Sequence, residues 1–399
     1  MTEFTPPSSS HLPSSDSRAS LAVETSAAPA GPMTSEQLVE AKQYGREQLR
    51  VSLADKLLDL VYLALAAFLL ARPLDHWLEV YLPNDYLRLI ALYTAVILLH
   101  ECFSFPIAYY GGHVLERRYG LSRQSLGRWL GRHAKRFTLT AVFGGVLFVG
   151  LFALIWLIGP WWWLVAAIAF FCVSVVLGQL APVLILPLFY KIERLEDAEL
   201  SQRLTGLAHG TGLSISGIYR MVLSDETAKA NAMLAGLGRT RRVLMGDTLL
   251  ESFTPEEIEV VFAHEIGHHV YKHIPKLILF GLVFGVAGFW VCDRTLAVWI
   301  GPEYSAASMP VYAAPMLMFV LTLFALLLEP LQNALSRRFE RQCDRYALVR
   351  TKSKEAYLSA FGKLAVLNKD DPHPHPLEVF LFHSHPPIGE RLAAADIGF

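Results

Sequence analysis

The sequence predicts a mainly α-helical membrane protein: a polytopic helical bundle of six or seven spans that carries an α+β insert. Composition is the first observation, because hydrophobic residues make up 53% of the 399 residues and charged residues only 18%. The mean hydropathy of +0.36 is typical of membrane proteins rather than soluble enzymes. The second observation is a series of six apolar segments, and the third is a more polar stretch before the fifth of them.

Hydropathy divides the chain into five regions. Residues 1–35 are rich in Ser, Pro, Ala and Thr without an apolar run, so we predict a disordered tail rather than a signal peptide. The two membrane parts are residues 36–190 and 276–330, and the insert between them is residues 191–275. The C-terminal segment is residues 331–399. The apolar segments cover about residues 57–71, 86–110, 137–159, 164–190, 277–292 and 311–328. The first and fifth are near the lower length limit of a span.

Basic residues predict the orientation of the spans. One cluster of Arg and Lys lies at 117–136 and another at 337–354, whereas the loops at 159–163 and 301–310 contain neither residue type. The positive-inside rule places both clusters, both termini and the insert in the cytoplasm. The net charge of −1 argues against a nucleic-acid partner.

The insert is expected to begin with a helix at Glu196–His209. Two short strands are expected at Ile218–Leu223 and Arg242–Met245, with the segment Asn231–Gly236 between them. A second helix is predicted from Pro255 to Lys272. Thr254 is a good N-cap for this helix, Pro255 suits its first position, and Glu257 can close a capping box.

The second helix carries the sequence His264-Glu265-Ile-Gly-His268. The two histidines are four residues apart on one face, a spacing that suits two nitrogens converging on a tetrahedral zinc ion. Glu265 lies about 100° around the helix, where it could take a proton from metal-bound water. The alternative is an ordinary helix that holds these polar residues by accident. The cap, the apolar flanks and the downstream motifs count against it.

A zinc hydrolase needs a third protein ligand. Glu340 and Asp344 are four residues apart on a probable helix beyond the sixth segment, so they share a face. Glu340 could ligate zinc, and Asp344 could accept the second ring hydrogen of a ligand histidine. A solvated, charge-laced helix is the alternative for this segment.

Four histidines lie near the C-terminus, and the sequence supports a prediction for three of them. His385 precedes two prolines, which fix an extended backbone and could hold it towards a cleft as a donor to an oxyanion. A surface turn explains the same residues. His373 and His375 lie in a Pro-rich loop and are expected to be exposed.

Other polar and sulfur groups are expected to be structural. His100 and Glu101 interrupt the second apolar segment without the second histidine of a metal motif, so we predict interior hydrogen bonding. The four cysteines show no CxxC spacing and are predicted to be buried free thiols: Cys102, Cys172, Cys292 and Cys343.

Together these motifs resemble the integral-membrane zinc metallopeptidases typified by the type I CAAX prenyl endopeptidase. The resemblance spans about residue 50 to the end, and its motifs occur in the family's order. They are His264-Glu-x-x-His268, Asn333-x-x-Ser-Arg-x-x-Glu340-x-x-x-Asp344 and Ser384-His385-Pro-Pro with Arg391. The segments Glu116–Ser122, Asn231-Ala and Asp247–Leu250 also look like that family.

The resemblance implies one zinc ion held by His264, His268 and Glu340, with Glu265 as the general base. It implies that Asp344 supports a ligand histidine and that His385 donates a hydrogen bond to the tetrahedral intermediate. It also implies that the spans enclose a large chamber beside a gluzincin-like insert. The residues implied to bind substrate are those of an edge strand, Asn231, Ala232, Met233, Leu234 and Gly236, together with Arg391, which is implied to belong to the network that supports Asp344 and His385. Cys343 departs from the usual alanine.

The function expected is zinc-dependent hydrolysis of peptide bonds in membrane-associated or prenylated, CAAX-type polypeptides. A quality-control protease without prenyl specificity and a non-catalytic scaffold or lipid-binding protein are the alternatives. Site-two-type cleavage is disfavoured, because a Leu-Asp-Gly motif is absent. Membrane lipid and a polypeptide are the expected partners, with the active site facing the cytoplasm. The Ala- and Arg-rich composition favours a bacterial inner membrane over the endoplasmic reticulum.

Overall fold

The structure, a computed structural model, describes residues 33–213, 217–236 and 241–397; the predicted tail lies outside them up to residue 32. The membrane part and the start of the insert contain the helices α1 (Ser35–Leu65), α2 (Ala71–Tyr81), α3 (Asp85–Tyr109), α4 (Glu116–Arg118), α5 (Leu126–Ile158), α6 (Trp162–Leu180), α7 (Leu186–Phe189) and α8 (Ala198–Ala208). The later helices are α9 (Asp247–Ser252), α10 (Pro255–Val270), α11 (His273–Ile300), α12 (Ala314–Thr351), α13 (Lys354–Asn368), α14 (Pro376–Phe382) and α15 (Ile388–Ile397).

Five continuous helical segments of the described chain are long and apolar enough to cross a membrane: Ser35–Tyr81, Asp85–Arg118, Leu126–Phe189, His273–Ile300 and Val311–Thr351. The expected count of six or seven spans is therefore not confirmed. The third and fourth predicted segments fall in one 64-residue stretch. This stretch reverses at Gly159, whose φ of 68° ends α5, so that α6 packs back against α5.

The fifth predicted segment, 277–292, is too short, because α11 continues to Ile300. Asp293 interrupts the apolar run in the sequence but does not end the helix. Its carboxylate is 1% exposed and accepts hydrogen bonds from the indole nitrogen of Trp162, at 2.7 Å, and from the hydroxyl of Tyr304. A charge that is hydrogen-bonded within the bundle is compatible with a spanning helix.

The prediction of buried thiols is wrong for Cys102 and Cys172, which are exposed, and is confirmed for Cys292 and Cys343. Cys102 lies on α3 and Cys172 lies on α6. These helices also expose large apolar side chains, such as Leu98 and Phe103 on α3 and Val176 on α6. In a membrane bundle an apolar neighbourhood includes the lipid-facing surface, so it does not imply burial.

The insert contains a four-stranded sheet in the order β1-β2-β4-β3, formed by β1 (Ile192–Arg194), β2 (Ile218–Met221), β3 (Ala232–Ala235) and β4 (Arg242–Gly246). β4 pairs in parallel with β2 and antiparallel with β3, which leaves β3 at one edge. The two predicted strands match β2 and β4, whereas β1 was not predicted. The expected helices at 196–209 and 255–272 are α8 and α10, and both parts of the capping box between Thr254 and Glu257 are present.

Helix α12 connects the membrane bundle to the insert. It is a single helix of 38 residues, and its C-terminal half packs against α10. Gly267 permits this close approach, because a Cβ atom at that position would lie 3.0 Å from the Cα atom of Cys343. The two helices therefore present their polar faces to each other at short range.

Two neighbouring cavities lie beside α1, one of about 530 Å³ among the membrane helices and one of about 620 Å³ beside the C-terminal histidines. Gln48 lines both of them. Glu101 and His133 line the first cavity, and His385 lines the second. The polar side chains within the spans thus face an internal space, as expected for a chamber.

Candidate metal centre

Helix α10 presents both histidines of its motif to α12. The rings of His264 and His268 lie 5.3 Å apart, and Nε2 of each ring faces the carboxylate of Glu340. The separations are 3.2 Å from His264 Nε2 to Oε2 and 3.3 Å from His268 Nε2 to Oε1. Bonds of 2.0–2.1 Å to a tetrahedral zinc ion would place ligand atoms about 3.3 Å apart, so the three residues fit that ion.

The tautomer of His264 strengthens this fit. Its Nδ1–H donates to Oδ1 of Asp344 at 2.9 Å, so a neutral ring presents a lone pair at Nε2. That lone pair faces Oε2 of Glu340, which is buried and accepts no hydrogen bond from the described residues. Two acceptors that face each other at 3.2 Å repel unless a proton or a metal ion lies between them.

Electrostatics leads to the same conclusion. Burial lowers the pKa of His264, but the carboxylates of Asp344 and Glu340 outweigh it and raise this pKa to about 9. The site therefore attracts positive charge at the rings. A divalent cation and a proton compete for the same nitrogen.

Asp344 and Arg391 support His264 from behind. Asp344 is 1% exposed, and the guanidinium of Arg391 donates to its two oxygens at 2.6 and 2.9 Å. This pair fixes the carboxylate that orients the ring of His264. The structure thus places Arg391 beside Asp344, behind the ring of His264.

Glu265 lies between the two histidines and the edge strand. Oε2 of its carboxylate accepts a hydrogen bond of 3.3 Å from the backbone N–H of Leu234 in β3. Burial raises the pKa of Glu265. A carboxylate of raised pKa beside a metal site suits a general base.

Two family descriptions match the chain. The description "CAAX prenyl protease N-terminal, five membrane helices" covers residues 20–191, and "Peptidase family M48" covers residues 194–397. The chain belongs to peptidase family M48. The protein is accordingly a membrane metalloprotease of the CAAX prenyl protease family.

Relatives of this M48 protease occur in bacteria and eukaryotes. An uncharacterized metalloprotease of Bacillus subtilis is 27% identical over 93% of this chain and 88% of its own. A CAAX prenyl protease 1 homolog of Taenia solium is 30% identical over 76% and 71%, and CAAX prenyl protease 1 of Saccharomyces cerevisiae is 28% identical over 75% and 70%. The crystal structure of S. mikatae Ste24p matches the fold with a TM-score of 0.73 and 24% identity, over 91% of this chain and 89% of that one.

The M48 protease holds His385 beside the same carboxylate. Its Nε2 lies 3.6 Å from Oε1 of Glu340, and the side chain is 62% exposed towards the cavity. Two residues of α12 anchor the backbone before it. Arg337 donates to the carbonyls of Val379 and His383 at 2.8 and 2.6 Å, and Asn333 donates to that of Leu381 at 2.8 Å.

The anchoring by Asn333 and Arg337 was not predicted. The sequence does contain a signal, since residues 333, 337, 340 and 344 recur at helical spacing on one face. Their carbonyl partners are more than 40 residues away in sequence, so the contact itself leaves no local pattern.

His273 is a further residue at the site that the sequence did not predict. Its Nδ1 lies 3.2 Å from Nδ1 of His268, and its Nε2 lies 2.9 Å from Oε1 of Gln342. The Sγ atom of Cys343 lies 3.6 Å from the same Nδ1 of His273.

Cys343 is an alternative third ligand, because His264, His268 and Cys343 are also close enough to share an ion. We favour Glu340 over Cys343, because Glu340 faces the Nε2 atoms and the thiol lies towards the opposite edge of His268.

The remaining predicted residues are located as follows. Ala232, Met233 and Leu234 lie in the edge strand β3, with Asn231 before it and Gly236 after it. His373 and His375 are exposed, as predicted. His100 and Glu101 form the predicted interior hydrogen bonds, to Asp59 at 2.7 Å and to His133 at 2.6 Å.

Proposed function

We propose that the protein is a zinc-dependent endopeptidase that hydrolyses peptide bonds of membrane-associated polypeptides, including prenylated, CAAX-type ones. One zinc ion per chain would be held by His264, His268 and Glu340. The observation that carries this proposal is the buried carboxylate of Glu340, which faces two imidazole nitrogens at 3.2 and 3.3 Å and whose Oε2 accepts no hydrogen bond from the described residues.

Each surrounding residue has a role in this proposal. A bound zinc ion supplies Lewis acidity and lowers the pKa of water to about 7. Glu265 accepts the proton of the attacking water and delivers it to the leaving amine. His385 donates a hydrogen bond to the oxyanion that develops on the scissile carbonyl. Asp344 and Arg391 hold His264 in the tautomer with a lone pair at Nε2.

The substrate would bind as an extended strand along β3. The backbone N–H of Leu234 points to Glu265 and not to β4, so the free edge of the strand borders the metal centre. Addition of a strand to this edge satisfies its unpaired backbone groups and brings a peptide bond next to the base. Asn368 supports the edge, since its carboxamide oxygen accepts from the N–H of Ala230 at 3.1 Å.

The substrate class rests on the relatives. The Taenia solium and yeast relatives are named CAAX prenyl proteases, which supports prenylated substrates. The Bacillus subtilis relative, which aligns over most of both chains, is named only as an uncharacterized metalloprotease, so a protease without prenyl specificity that acts in quality control of membrane proteins is the second candidate. For either candidate, we propose a bacterial inner membrane on the basis of the Ala- and Arg-rich composition. We propose an active site on its cytoplasmic side on the basis of the basic clusters at 117–136 and 337–354.

Cleavage of a matched pair of peptides and of a third substrate tests the function. The purified protein is mixed with a farnesylated CAAX peptide, with the same peptide lacking the lipid, and with a fragment of a membrane protein. We expect cleavage that a chelator stops and that added zinc restores. A preference for the farnesylated peptide supports CAAX specificity, equal cleavage supports quality control, and no cleavage of any substrate contradicts the proposal.

A further inference from the structure

The open edge of β3 has a definite register, which follows from its pairing with β4. Ala232 lies opposite Met245 in this antiparallel pair. One step earlier, the N–H of Gly246 donates to the carbonyl of Asn231 at 2.8 Å. Hydrogen-bonded and non-hydrogen-bonded pairs alternate in an antiparallel ladder. Asn231 therefore bonds to β4, whereas Ala232 and Leu234 direct their backbone groups to the open edge.

Ala230 occupies the next position of this edge. It precedes Ala232 by two residues, so the same alternation directs its N–H and carbonyl to the open side. Both groups are already bonded to one side chain. The carboxamide oxygen of Asn368 accepts from the N–H of Ala230 at 3.1 Å, and its nitrogen donates to the carbonyl of Ala230 at 3.5 Å. Asn368 thus takes the place that one residue of an added strand would occupy.

The proposed base marks a second point on the same edge. The N–H of Leu234 donates to Oε2 of Glu265 at 3.3 Å. Ala232 lies between this contact and Ala230, and none of the described residues bonds to its open-edge groups. The edge therefore offers one residue for backbone pairing, Ala232, between Glu265 and Asn368.

We infer that Asn368 is a specificity-determining residue, which limits the bound substrate strand to Ala232 at this end of the edge. The inference rests on the proposed binding of substrate along β3 and defines how far that strand extends on one side. A substrate can pair its backbone with Ala232. Its next pairing residue, two further along, meets the carboxamide of Asn368, so the chain must leave the edge there.

The surroundings of Asn368 suit such a limit. It is the last residue of α13, and α13 packs against α10, which carries the proposed base. The carboxamide is therefore held at a fixed distance from Glu265. The cavity of about 620 Å³ is lined by Asn231, Asn368 and His385, so a substrate that turns away from Ala232 has space to continue.

The alternative is that Asn368 only fastens the end of α13 to the segment before β3. Thr248 makes a comparable contact with that segment, since its hydroxyl donates to the carbonyl of Lys229 at 2.8 Å. Loss of either contact would loosen the same segment. Only the loss of Asn368 would uncover the backbone groups of Ala230, so Thr248→Val is the matched control.

Peptide binding as a function of length separates the two roles. Fluorescently labelled peptides, farnesylated and unmodified, are extended one residue at a time at either end. Binding to the full chain is measured by anisotropy in the Glu265→Gln background, where peptides stay intact. At one end, we expect the affinity to stop rising at the residue that pairs with Ala232. Asn368→Ala should move this limit two residues further, with about three- to tenfold tighter binding from the added backbone pairing.

A scan with backbone N-methyl groups tests the protein with Asn368 intact. Methylation removes the hydrogen of one peptide amide at a time. We expect weaker binding when the residue that pairs with Ala232 is methylated, and no effect two residues further. With Asn368→Ala, methylation at that further residue should weaken binding about three- to tenfold. Thr248→Val should leave the pattern of sensitive amides unchanged.

Three results would overturn the inference. One is a length limit that Asn368→Ala does not move. A second is sensitivity to methylation at the further residue while Asn368 is intact. The third is equal weakening of all peptide lengths by Asn368→Ala and Thr248→Val, which would assign Asn368 a structural role. A failure of the proposed protease function is a separate result, because it leaves the peptides intact when they are mixed with the natural protein.

Discussion

Two regions of the molecule pair histidines with carboxylates, and they do so differently. In the membrane part, His100 pairs with Asp59 at 2.7 Å and His133 pairs with Glu101 at 2.6 Å. Each of those carboxylates pairs with one ring. At the α10–α12 interface a single carboxylate, Glu340, instead faces two rings, and its Oε2 accepts no hydrogen bond from the described residues.

The difference shows what distinguishes a metal site from a structural polar contact. A histidine–carboxylate pair that shares a proton is already satisfied and has no need of an ion. Lone pairs that converge from several groups without a shared proton repel each other unless a cation lies among them. The number of rings per carboxylate is therefore more informative than the presence of a pair.

The largest expected effect comes from removing the shared carboxylate. Glu340→Ala should lose bound zinc and lower cleavage at least about a thousandfold, because Lewis acidity contributes several kcal/mol to the transition state. Metal analysis of the purified variant and single-turnover cleavage measure both effects. Glu101→Ala is the matched control, which should keep its zinc. Loss of zinc from both variants would remove the distinction between the two regions.

His385→Ala should lower kcat about a hundredfold or more while zinc stays bound, since this histidine faces the site but is assigned to the oxyanion rather than to the metal. Steady-state kinetics and metal analysis test this. An unchanged kcat would mean that His385 only lines the cavity.

Asp344→Asn should weaken zinc binding about 10–100-fold, because the ring of His264 loses its charged partner. Titration against a chromophoric chelator gives the affinity. Asp59→Asn offers the corresponding change at His100 in the membrane part and should not alter zinc affinity. If the two variants weaken zinc equally, the effect is one of general stability.

The smallest effect is expected in the membrane part itself. Glu101→Ala leaves His133 without its carboxylate partner, which should cost about 1–3 kcal/mol of stability. Thermal unfolding in detergent should show a lower midpoint, with cleavage per folded molecule retained. Loss of cleavage without loss of stability would assign this pair a role in catalysis.

Local signals made part of this structure predictable. The cap formed by Thr254, Pro255 and Glu257 correctly predicted where α10 begins, and the spacing within α12 correctly predicted that Glu340 and Asp344 share a face. The same reasoning predicted that His100 and Glu101 form interior hydrogen bonds, because isolated polar residues in a span must find partners.

Long-range contacts and lipid exposure account for what could not be predicted. Strand β1 has three residues and exists only by pairing with β2. The end of α11 was misplaced because the partners of Asp293, Trp162 and Tyr304, are invisible from its own neighbourhood. Cys102 and Cys172 were assigned to the interior because apolar segments of a membrane protein can face either the core or lipid.

The most direct test of the central claim is Glu265→Gln, analysed for zinc and for cleavage in the same preparation. We predict one zinc ion per chain in the variant, as in the natural protein, together with loss of peptide hydrolysis. Gln retains the shape of the side chain but cannot accept the proton. Cleavage at the natural rate, or an absence of zinc from both proteins, would contradict it.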